Sequence, residues 1–267
     1  MRRPIDVGDL RARLLAGASS WHTIELVAET GSTNADLIAR AVGGEDVDGE
    51  VLIAEHQTAG RGRNGRSWSG VPGAQITMSV GVNADGIPPA AWGWLPLVAG
   101  LSVLNAVDGS GVRVGLKWPN DVLASPPAEG KVAGILAEVA SPKPMVVIGI
   151  GMNVSLNANE LPDPRATSLA MLGGRATNRE DLILDLLNGL ARHVAGLRST
   201  HGAGAGLIAE YTARSLTIGS RVRATLPGDR QVVGMALSID EQGRLRIDTG
   251  SEVVVVSAGD IVHLRPV

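Results

Sequence analysis

The chain of 267 residues contains no cysteine and no phenylalanine, and it has a single tyrosine. The missing cysteine excludes disulfides, thiolate metal sites and a cysteine nucleophile. Aromatic residues make up only 2% of the chain, so the core has to be built from leucine, valine, isoleucine and alanine. Five tryptophans are present, and each of them therefore marks a position worth locating.

The net charge is also small. The formal net charge is −3, so the surface as a whole does not attract nucleic acid, and phosphate binding needs a local cluster of Arg or Lys. The five histidines show no pairing at metal-ligand spacing, and we expect no metal held by protein ligands.

Long apolar runs are missing as well. No apolar stretch follows Met1-Arg2-Arg3-Pro4, which argues against a signal peptide. The most apolar window, residues 90–107, is interrupted by Gly93, Pro96 and Gly100, so it is typical of a buried helix rather than a membrane span. We therefore expect a cytoplasmic protein with no membrane partner.

Hydrophobic patterning predicts an α+β domain over residues 1–215, followed by a small β domain over residues 216–267. After residue 216, short β-rich runs alternate with Gly-containing turns, which is typical of a small all-β barrel. In the first domain, strands are predicted at residues 23–28, 51–54, 75–82, 112–118, 121–124, 132–139 and 145–154, and helices at residues 33–42, 88–107 and from 177 onward.

Two of these helix starts have the spacing of capping boxes, namely Thr33 with Asp36 and Thr177 with Glu180. The second of the two helices also carries the clearest apolar stripe of the chain, and an amphipathic helix packs such a stripe against a core. The stripe consists of Leu182, Leu186, Leu190, Val194 and Leu197.

The strongest local feature is the run Gly60-Arg61-Gly62-Arg63-Asn64-Gly65-Arg66-Ser67-Trp68, which follows an apolar strand. Glycine permits unusual dihedral angles, so several backbone N–H groups of such a loop can point at one anion. The arginines add permanent positive charge in a planar fork that suits carboxylate and phosphate. Trp68 adds a flat apolar surface that can stack on a purine or cover a ring.

Three interpretations of this loop compete. Gly60, Gly62 and Gly65 satisfy the Gly-x-Gly-x-x-Gly dinucleotide fingerprint, but that fingerprint requires a helix at once, and residues 67–73 contain two glycines and a proline instead. A solvated basic loop or an RNA-contact loop is the second interpretation. The third is a clamp for phosphate and carboxylate that closes over a small molecule, which also accounts for Trp68.

The run Lys117-Trp118-Pro119-Asn120-Asp121 places a proline between a predicted strand and a polar pair. Proline fixes an extended or turning backbone, which leaves Asn120 and Asp121 at the end of the strand. Taken alone, this run would be an ordinary Asn-Asp turn.

Two later strands also carry polar groups among apolar residues. Lys131 opens the run of residues 131–138, where its ammonium group lies at the edge of a pocket or is an ordinary strand-edge lysine. The run Gly149-Ile150-Gly151-Met152-Asn153-Val154 has two glycines that would let a ligand approach the backbone closely. Its Asn153 needs partners if it is buried, and these can be structural or belong to a ligand.

Taken together and in this order, the runs resemble the biotin protein ligase family. The resemblance begins with Gly31-Ser32-Thr33-Asn34, continues through residues 55–63, 117–121, 131–136 and 149–154, and covers residues 24–267 in all. It implies that family's fold: a central mixed β-sheet flanked by helices, as in class II synthetases and biotin/lipoate ligases, with a small SH3-like β-barrel at the C-terminus.

The resemblance also implies roles for individual residues. Hydroxyl and amide groups at the start of the first long helix suit the ureido ring of biotin, which presents both donors and an acceptor. Residues 60–68 would order over biotinyl-adenylate, with Trp68 covering the valeryl chain or the adenine. The residues implied to bind biotin or biotinyl-adenylate are Ser32, Thr33, Asn34, Gln57, Gly60, Arg61, Gly62, Arg63, Arg66, Trp68, Asn120, Lys131, Gly134, Gly151 and Asn153.

Four residues are implied to be catalytic. Arg61 and Arg63 would hold the phosphate and the carboxylate, and Lys131 would contact the biotin carboxylate and the α-phosphate. Asp121 is a candidate for helping to deprotonate the incoming lysine. Asn120 and Asn153 would lie on the nucleotide side.

The implied reaction uses biotin, ATP and Mg²⁺, and it needs no protein nucleophile, which fits the absence of cysteine. The biotin carboxylate and the α-phosphate are both anions, so the arginines, the lysine and the Mg²⁺ on the triphosphate would have to neutralise their repulsion. The implied partner is the biotin carboxyl carrier protein of an acetyl-CoA or acyl-CoA carboxylase, or of another biotin-dependent carboxylase. Its lysine then attacks the mixed anhydride, biotinyl-5′-AMP.

The sequence departs from the family pattern in two places. Trp68 is followed by Ser69-Gly70-Val71-Pro72-Gly73 where family members often have Ser-Pro, and we expect a shifted turn there. The twenty-odd residues before the first predicted strand are too few for the N-terminal winged helix of relatives that repress transcription. We therefore expect a monofunctional ligase without a DNA partner, either a monomer or a homodimer.

Two rival functions remain at this point. A lipoate–protein ligase would share the core fold and the adenylate mechanism. A non-enzymatic module that binds nucleotides or RNA would use the basic loop and the small β domain, and its binding would weaken steeply with salt.

Overall fold

The computed structural model describes residues 2–16, 20–141, 143–175, 177–226, 228, 230–257 and 260–263. Its helices are α1 (Val7–Leu15), α2 (Thr33–Val42), α3 (Trp94–Val107), α4 (Arg179–Ser199) and α5 (Ala205–Arg214). Its strands are β1 (Thr23–Thr30), β2 (Glu50–Gln57), β3 (Gln75–Asn83), β4 (Val114–Lys117), β5 (Asp121–Ala124), β6 (Lys131–Ala140), β7 (Met145–Asn153), β8 (Arg221–Thr225), β9 (Gln231–Ile239), β10 (Leu245–Asp248), β11 (Val253–Val256) and β12 (Asp260–His263). Within these residues, no helix combines the length and the apolar character needed to cross a membrane.

The first seven strands form one mixed sheet in the order β1-β2-β3-β7-β6-β5-β4. β1 and β2 run parallel, and all other neighbours are antiparallel. This confirms the predicted α+β class with a central mixed sheet. β2 extends three residues beyond its predicted end because it continues to pair with β1 up to Thr30 and Gln57. The extension carries Gln57 to the site described below.

Helices cover both faces of this sheet. Because neighbouring side chains of a strand point to opposite faces, Val147 of β7 packs in the cluster beneath α2, whereas Ile148 packs in the larger core with α3 and α4. Helix α3 is buried nearly all round, since it lies between the sheet and α4. It begins at Trp94, later than predicted, because a short 3-10 turn occupies Pro89–Ala91.

The predicted capping boxes are wrong at both helix starts. Helix α2 is capped by Ser32, whose hydroxyl accepts a hydrogen bond from the N–H of Ala35, and Asp36 instead accepts a bond from the Thr30 hydroxyl. Helix α4 is capped one residue after the predicted Thr177, by Asn178.

Glu180, the acid predicted to close the second box, is buried and accepts a hydrogen bond from the backbone N–H of Asp6 in the N-terminal segment. The prediction of an amphipathic α4 is confirmed, because every residue of its apolar stripe is buried. These residues are Leu182, Leu186, Leu190, Val194 and Leu197.

The small C-terminal β domain is confirmed as an antiparallel sheet in the order β11-β10-β9-β8-β12. Among the residues that the structure describes, the edge strands β11 and β12 do not pair with each other, so the predicted barrel is an open sheet here. The last of the predicted β-rich runs covers residues 261–264, and Leu264 lies outside the described residues. The β9–β10 turn docks on the first domain through Trp94, whose indole N–H donates to the carbonyls of Asp240 and Glu241.

Candidate functional site

A cleft of about 1220 Å³ opens where the loop after β2 lies over strands β6 and β7. It brings together residues that lie far apart in the sequence, from Ser32 to Ser220. Of the residues predicted for the site, the cleft is lined by Ser32, Thr33, Asn34, Gln57, Arg61, Gly62, Arg63, Arg66, Trp68, Asn120, Asp121, Lys131, Gly134, Gly151 and Asn153, and Gly60 is the one that does not line it.

One end of the cleft is polar and uncharged. The side-chain oxygen of Gln57 accepts hydrogen bonds from the backbone N–H and the hydroxyl of Thr33, at 2.8 and 3.1 Å. The hydroxyls of Thr33 and Ser79 are 2.7 Å apart. Because Ser32 caps α2, the first turn of the helix presents Ser32, Thr33 and Asn34 together.

Asn34 links this polar end to strand β6. Its amide nitrogen donates to the Leu136 carbonyl at 3.1 Å and to Glu138 Oε2 at 2.9 Å, while its amide oxygen accepts a bond of 2.6 Å from Ser79. The side chain lies directly on Gly149, where any Cβ would overlap the Asn34 amide oxygen. Gly149 is one of the two glycines predicted to let a ligand approach the backbone. It makes room instead for the side chain of Asn34.

Residues 60–68, called the arginine loop from here on, form a short hairpin. Arg61 and Ser67 make an isolated antiparallel bridge at its base, and its tip turns through Asn64 and Gly65, which both have left-handed backbone angles. The next regular element is β3, not a helix. The glycines of this loop therefore do not form a dinucleotide-binding turn, which would lead directly into a helix.

Two glycines near the base of the loop differ in what surrounds them. A Cβ on Gly60 would overlap the carbonyl oxygen of Trp68 and would lie 2.8 Å from the Gln57 amide nitrogen, so the backbone approaches too closely for any side chain. A Cβ on Gly62 would lie 3.4 Å from its nearest neighbour, the carbonyl oxygen of Arg66, which is an ordinary contact.

The first two arginines of the loop are held by different partners. Arg61 Nη2 donates to Glu138 Oε2 on β6 at 2.8 Å. Arg63 Nη1 donates to Asn120 Oδ1 at 3.2 Å, and Asn120 is itself fixed by a pair of hydrogen bonds with the backbone of Ile135. The loop therefore brings positive charge to two places on the cleft wall.

Trp68 ends the loop and lies on the two middle strands of the cleft. Its ring covers Gly151 of β7, where a Cβ would overlap the indole, and it would lie 3.3 Å from a Cβ on Gly134 of β6. Lys131 Nζ is 5.5 Å from the ring centroid, within the range of a cation–π contact. Among the described residues, the indole N–H is closed off from solvent and has no hydrogen-bond partner.

Lys131 and Asp121 form an ion pair at the cleft, with 2.7 Å between Nζ and Oδ1. Strands β5 and β6 place them side by side, because Leu123 pairs with Lys131 and Asp121 pairs with Gly134. Both side chains are partly exposed, so a ligand in the cleft can reach the ammonium group.

The residues before Asp121 are fixed by the C-terminal sheet. Trp118 is buried, its backbone N–H donates to the Thr217 hydroxyl at 3.0 Å, and its indole N–H donates to the Gly243 carbonyl at 3.0 Å. The run that carries Asn120 and Asp121 is therefore anchored by residues more than ninety positions away in sequence.

Asn153 is buried, and the protein itself supplies its partners. Its amide oxygen accepts a bond of 2.8 Å from Gln75, and its amide nitrogen donates to the carbonyls of Lys131 and Thr167, at 3.2 and 2.9 Å. The side chain thus ties β3, β6 and β7 together beneath Lys131, while it also lines the cleft.

Sequence reasoning missed several charged residues at this site. Asp163 and Arg165 form an ion pair of 2.7 Å on the rim, and the hydrogen bond from the Arg165 side chain lowers the pKa of Asp163 to about 2. No pattern in the sequence separates that pair from an ordinary surface pair. Glu138 could have been found, because it is the acidic residue that ends the apolar run opened by Lys131.

The charged groups lining the cleft are mostly cationic. Positive residues outnumber negative ones, which favours an anionic ligand. No group of three or more His, Asp or Glu among the described residues is placed to hold a metal ion. The cations are Arg61, Arg63, Arg66, Lys117, Lys131 and Arg165, and the acids are Asp121, Glu129 and Asp163.

Two family models match parts of the chain. The model of the Biotin/lipoate A/B protein ligase family matches residues 44–153, which include the arginine loop and residues 117–121. The model of the Biotin protein ligase C terminal domain matches residues 217–264, which include the small sheet.

Curated relatives align with most of the chain. It is 54% identical to a Biotin--[acetyl-CoA-carboxylase] ligase of Mycobacterium tuberculosis (strain ATCC 25618 / H37Rv), an alignment that covers 99% of this chain and 98% of the relative. It is 32% identical to the Bifunctional ligase/repressor BirA of Bacillus subtilis (strain 168), over 80% of this chain and 66% of the relative.

Solved structures also share the fold. The biotin protein ligase from Aquifex aeolicus in complex with biotin and ATP superposes with a TM-score of 0.76 at 26% identity, covering 91% of this chain and 99% of that one. The biotin protein ligase from Leishmania major in complex with biotinyl-5-AMP gives a TM-score of 0.59 at 25% identity, covering 91% and 99%.

Proposed function

Because the chain belongs to the biotin protein ligase family, we propose that it activates biotin with ATP and then transfers it to a lysine of a biotin carboxyl carrier protein. The observation that carries this proposal is the division of the cleft into an uncharged polar end and a cationic side. A ligand with a polar neutral head and an anionic tail matches that division, and biotin has both.

The polar end is proposed to bind the ureido ring of biotin. Ser32, Thr33, Asn34 and Gln57 offer the donors and acceptors that the ring can use. The dithiolane ring of lipoate has no N–H or carbonyl group, so it could form none of the hydrogen bonds that these groups offer to a ureido ring. This difference favours biotin over lipoate.

The first step is proposed to be attack of a biotin carboxylate oxygen on the α-phosphorus of ATP. A new P–O bond forms, the bond to the bridging oxygen breaks, and pyrophosphate leaves, giving biotinyl-5′-AMP. Arg61, Arg63 and Lys131 would offset the repulsion between the two anions and hold the charge that develops during transfer. Mg²⁺ would enter as part of the ATP substrate, on the triphosphate.

Lys131 is the strongest candidate for a direct role. Its ammonium group lies between the acid Asp121 and the ring of Trp68, so a ligand anion placed on the cleft floor would replace or share its ion pair. Asp121 would then be released to accept a proton from the incoming lysine in the second step. In that second step the amine of the carrier lysine attacks the activated carbonyl, an amide forms and AMP departs.

Trp68 and the arginine loop are proposed to cover the adenylate. A mixed anhydride hydrolyses in water, so the loop should close over it until the carrier lysine arrives. Asn120 and Asn153 would lie on the nucleotide side, with Asn153 acting mainly through the strands it ties together.

Residues 1–215 are proposed to form the catalytic domain and residues 216–267 the small β domain. The relative aligned over nearly its full length is named for ligation alone, which supports ligation as the activity of this chain. We further propose a cytoplasmic protein, a monomer or a homodimer, that partners neither DNA nor membrane.

Incubation with ATP, Mg²⁺ and a biotin carboxyl carrier domain tests the transfer. Mass spectrometry should find one biotinyl group on one carrier lysine, and none when ATP is omitted. Lipoyl addition in place of biotinyl addition would establish the lipoate ligase. Absence of both, together with nucleic-acid binding that falls steeply with salt, would establish the non-enzymatic module.

A further inference from the structure

Glu138 touches both halves of the site, although it does not line the cleft. A single carboxylate oxygen, Oε2, accepts one hydrogen bond from the Asn34 amide at 2.9 Å and another from the Arg61 guanidinium at 2.8 Å. Asn34 belongs to the polar end of the cleft, and Arg61 belongs to the arginine loop. We propose that Glu138 is a positioning residue that transmits occupancy of the biotin pocket to the arginine loop.

The contact is stronger than an isolated surface ion pair. Such pairs contribute little, because two flexible side chains must be held in one geometry. Here the carboxylate is already held by Asn34, which is buried and makes two further hydrogen bonds. Arg61 therefore docks on an acceptor whose position depends on Asn34. Within the described part of the chain, Glu138 is the side chain to which Arg61 donates a hydrogen bond.

These hydrogen bonds form a chain at the polar end of the cleft, and the backbone closes the chain into a ring. Each bond in the ring is between 2.6 and 3.1 Å. The two ends of the ring are joined through the backbone, because Gln57 and Arg61 are only four positions apart in the sequence. The bonds run in order from Gln57 through Thr33, Ser79, Asn34 and Glu138 to Arg61.

This inference rests on the proposed function, which places the head of biotin against the ring. A ligand that fixes the Asn34 and Thr33 side chains also fixes the carboxylate of Glu138. A fixed carboxylate holds Arg61 and, with it, the base of the arginine loop. Biotin binding should therefore lower the population of open loop before ATP arrives.

Limited trypsin digestion measures loop opening directly, because Arg61, Arg63 and Arg66 are cleavage sites in the exposed loop. In the unmodified protein, saturating biotin should slow cleavage of the loop about tenfold, which is a shift of about 1.4 kcal/mol in the opening equilibrium. In Glu138→Gln, saturating biotin should slow it less than about twofold, since a neutral amide oxygen is a much weaker acceptor for the Arg61 guanidinium than a carboxylate oxygen.

The control is Glu25→Gln, which breaks another arginine ion pair of 2.7 Å, with Arg40, outside the cleft. It should leave biotin protection unchanged. Calorimetric titration of each variant establishes that biotin is bound during digestion. Thermal unfolding of each variant is measured as well. A merely structural defect would lower the unfolding temperature, and it would not leave biotin binding intact while protection from trypsin is lost. Glu138→Ala serves as the second variant, since alanine provides no acceptor at all.

The two proposals fail in different ways. If the unmodified protein does not bind biotin, the proposed function fails and this inference fails with it. If biotin binds but gives no protection, or if biotin-bound Glu138→Gln and Glu138→Ala are protected as well as the unmodified protein, only the role of Glu138 is overturned.

Discussion

The arginine loop and residues 117–121 meet at the hydrogen bond from Arg63 to Asn120, yet the chain holds these two segments in opposite ways. The loop is an exposed hairpin, closed at its base by bonds to itself. The other segment is anchored from both domains, because Trp118 is buried in the core and bonded to Thr217 and Gly243.

This difference assigns the segments different parts in the reaction cycle. The loop can open for a ligand without exposing any core residue. Residues 117–121 cannot move without exposing Trp118 and breaking its bonds to the C-terminal sheet, which would be costly. Asn120 and Asp121 therefore form a fixed reference against which the loop closes. Substitutions in the loop should reduce activity alone, whereas those around Trp118 should reduce stability first.

The largest effect is expected at Lys131, which lies between the two segments. Lys131→Ala should lower the single-turnover rate of adenylate formation by about 10²–10³-fold, because it removes a fixed cation from the site of developing charge. The fold should stay intact, since the side chain is partly exposed. Near-normal adenylate formation in rapid-quench measurements would refute the direct role of Lys131.

Trp118→Ala tests the anchored segment. It should lower the free energy of unfolding by about 3–5 kcal/mol, because a fully buried indole is removed and the Gly243 carbonyl loses its donor. Chemical denaturation measures the change. The matched control is Trp92→Ala, at a partly buried indole outside the cleft, which should cost clearly less. Equal losses would show that residues 117–121 are not specially anchored.

Arg63→Ala tests the arginine loop, where we expect a loss of activity rather than a loss of stability. Adenylate formation should fall by about 10²-fold, since a charge that stabilises the transition state is lost. The unfolding temperature should hardly change, because the loop contributes no buried side chain at this position. A stability loss as large as that of Trp118→Ala would remove the contrast between the two segments.

The smallest effect separates two glycines within the loop. Gly60→Ala should weaken binding of biotinyl-adenylate about tenfold, because a Cβ cannot fit against the Trp68 carbonyl and the base of the hairpin must shift. Gly62→Ala, where the nearest atom lies 3.4 Å away, should change it by less than about threefold. Calorimetric competition measures both affinities, and equal effects would show that the base of the loop is not tightly packed.

Most of the site could be predicted from sequence because its residues lie in short runs of unusual composition. The cleft unites Ser32, the arginine loop, Asn120 and Lys131, as the resemblance implied. What could not be predicted is how they are held. Glu138, Ser79 and Gln75 are polar residues in largely apolar strands, and their importance depends on which strands become neighbours in the sheet.

The fold, like the site, could be predicted only in part from the sequence. Strands were found from apolar runs, but the end of β2 depends on pairing with β1, which no local pattern shows. Helix α5 was missed, since Gly204 and Gly206 at its start weaken the helical signal. The capping boxes failed because oxygen-bearing side chains stand at adjacent positions, and Ser32 and Asn178 were the ones placed to accept the first N–H groups.

We expect this chain to form biotinyl-5′-AMP without any carrier protein. Exchange of labelled pyrophosphate into ATP measures this step by itself, because exchange requires only the reversible first step. Exchange should depend on biotin and on Mg²⁺ and should be nearly abolished in Lys131→Ala. No exchange with biotin, or exchange supported by lipoate instead, would refute adenylation of biotin by this chain.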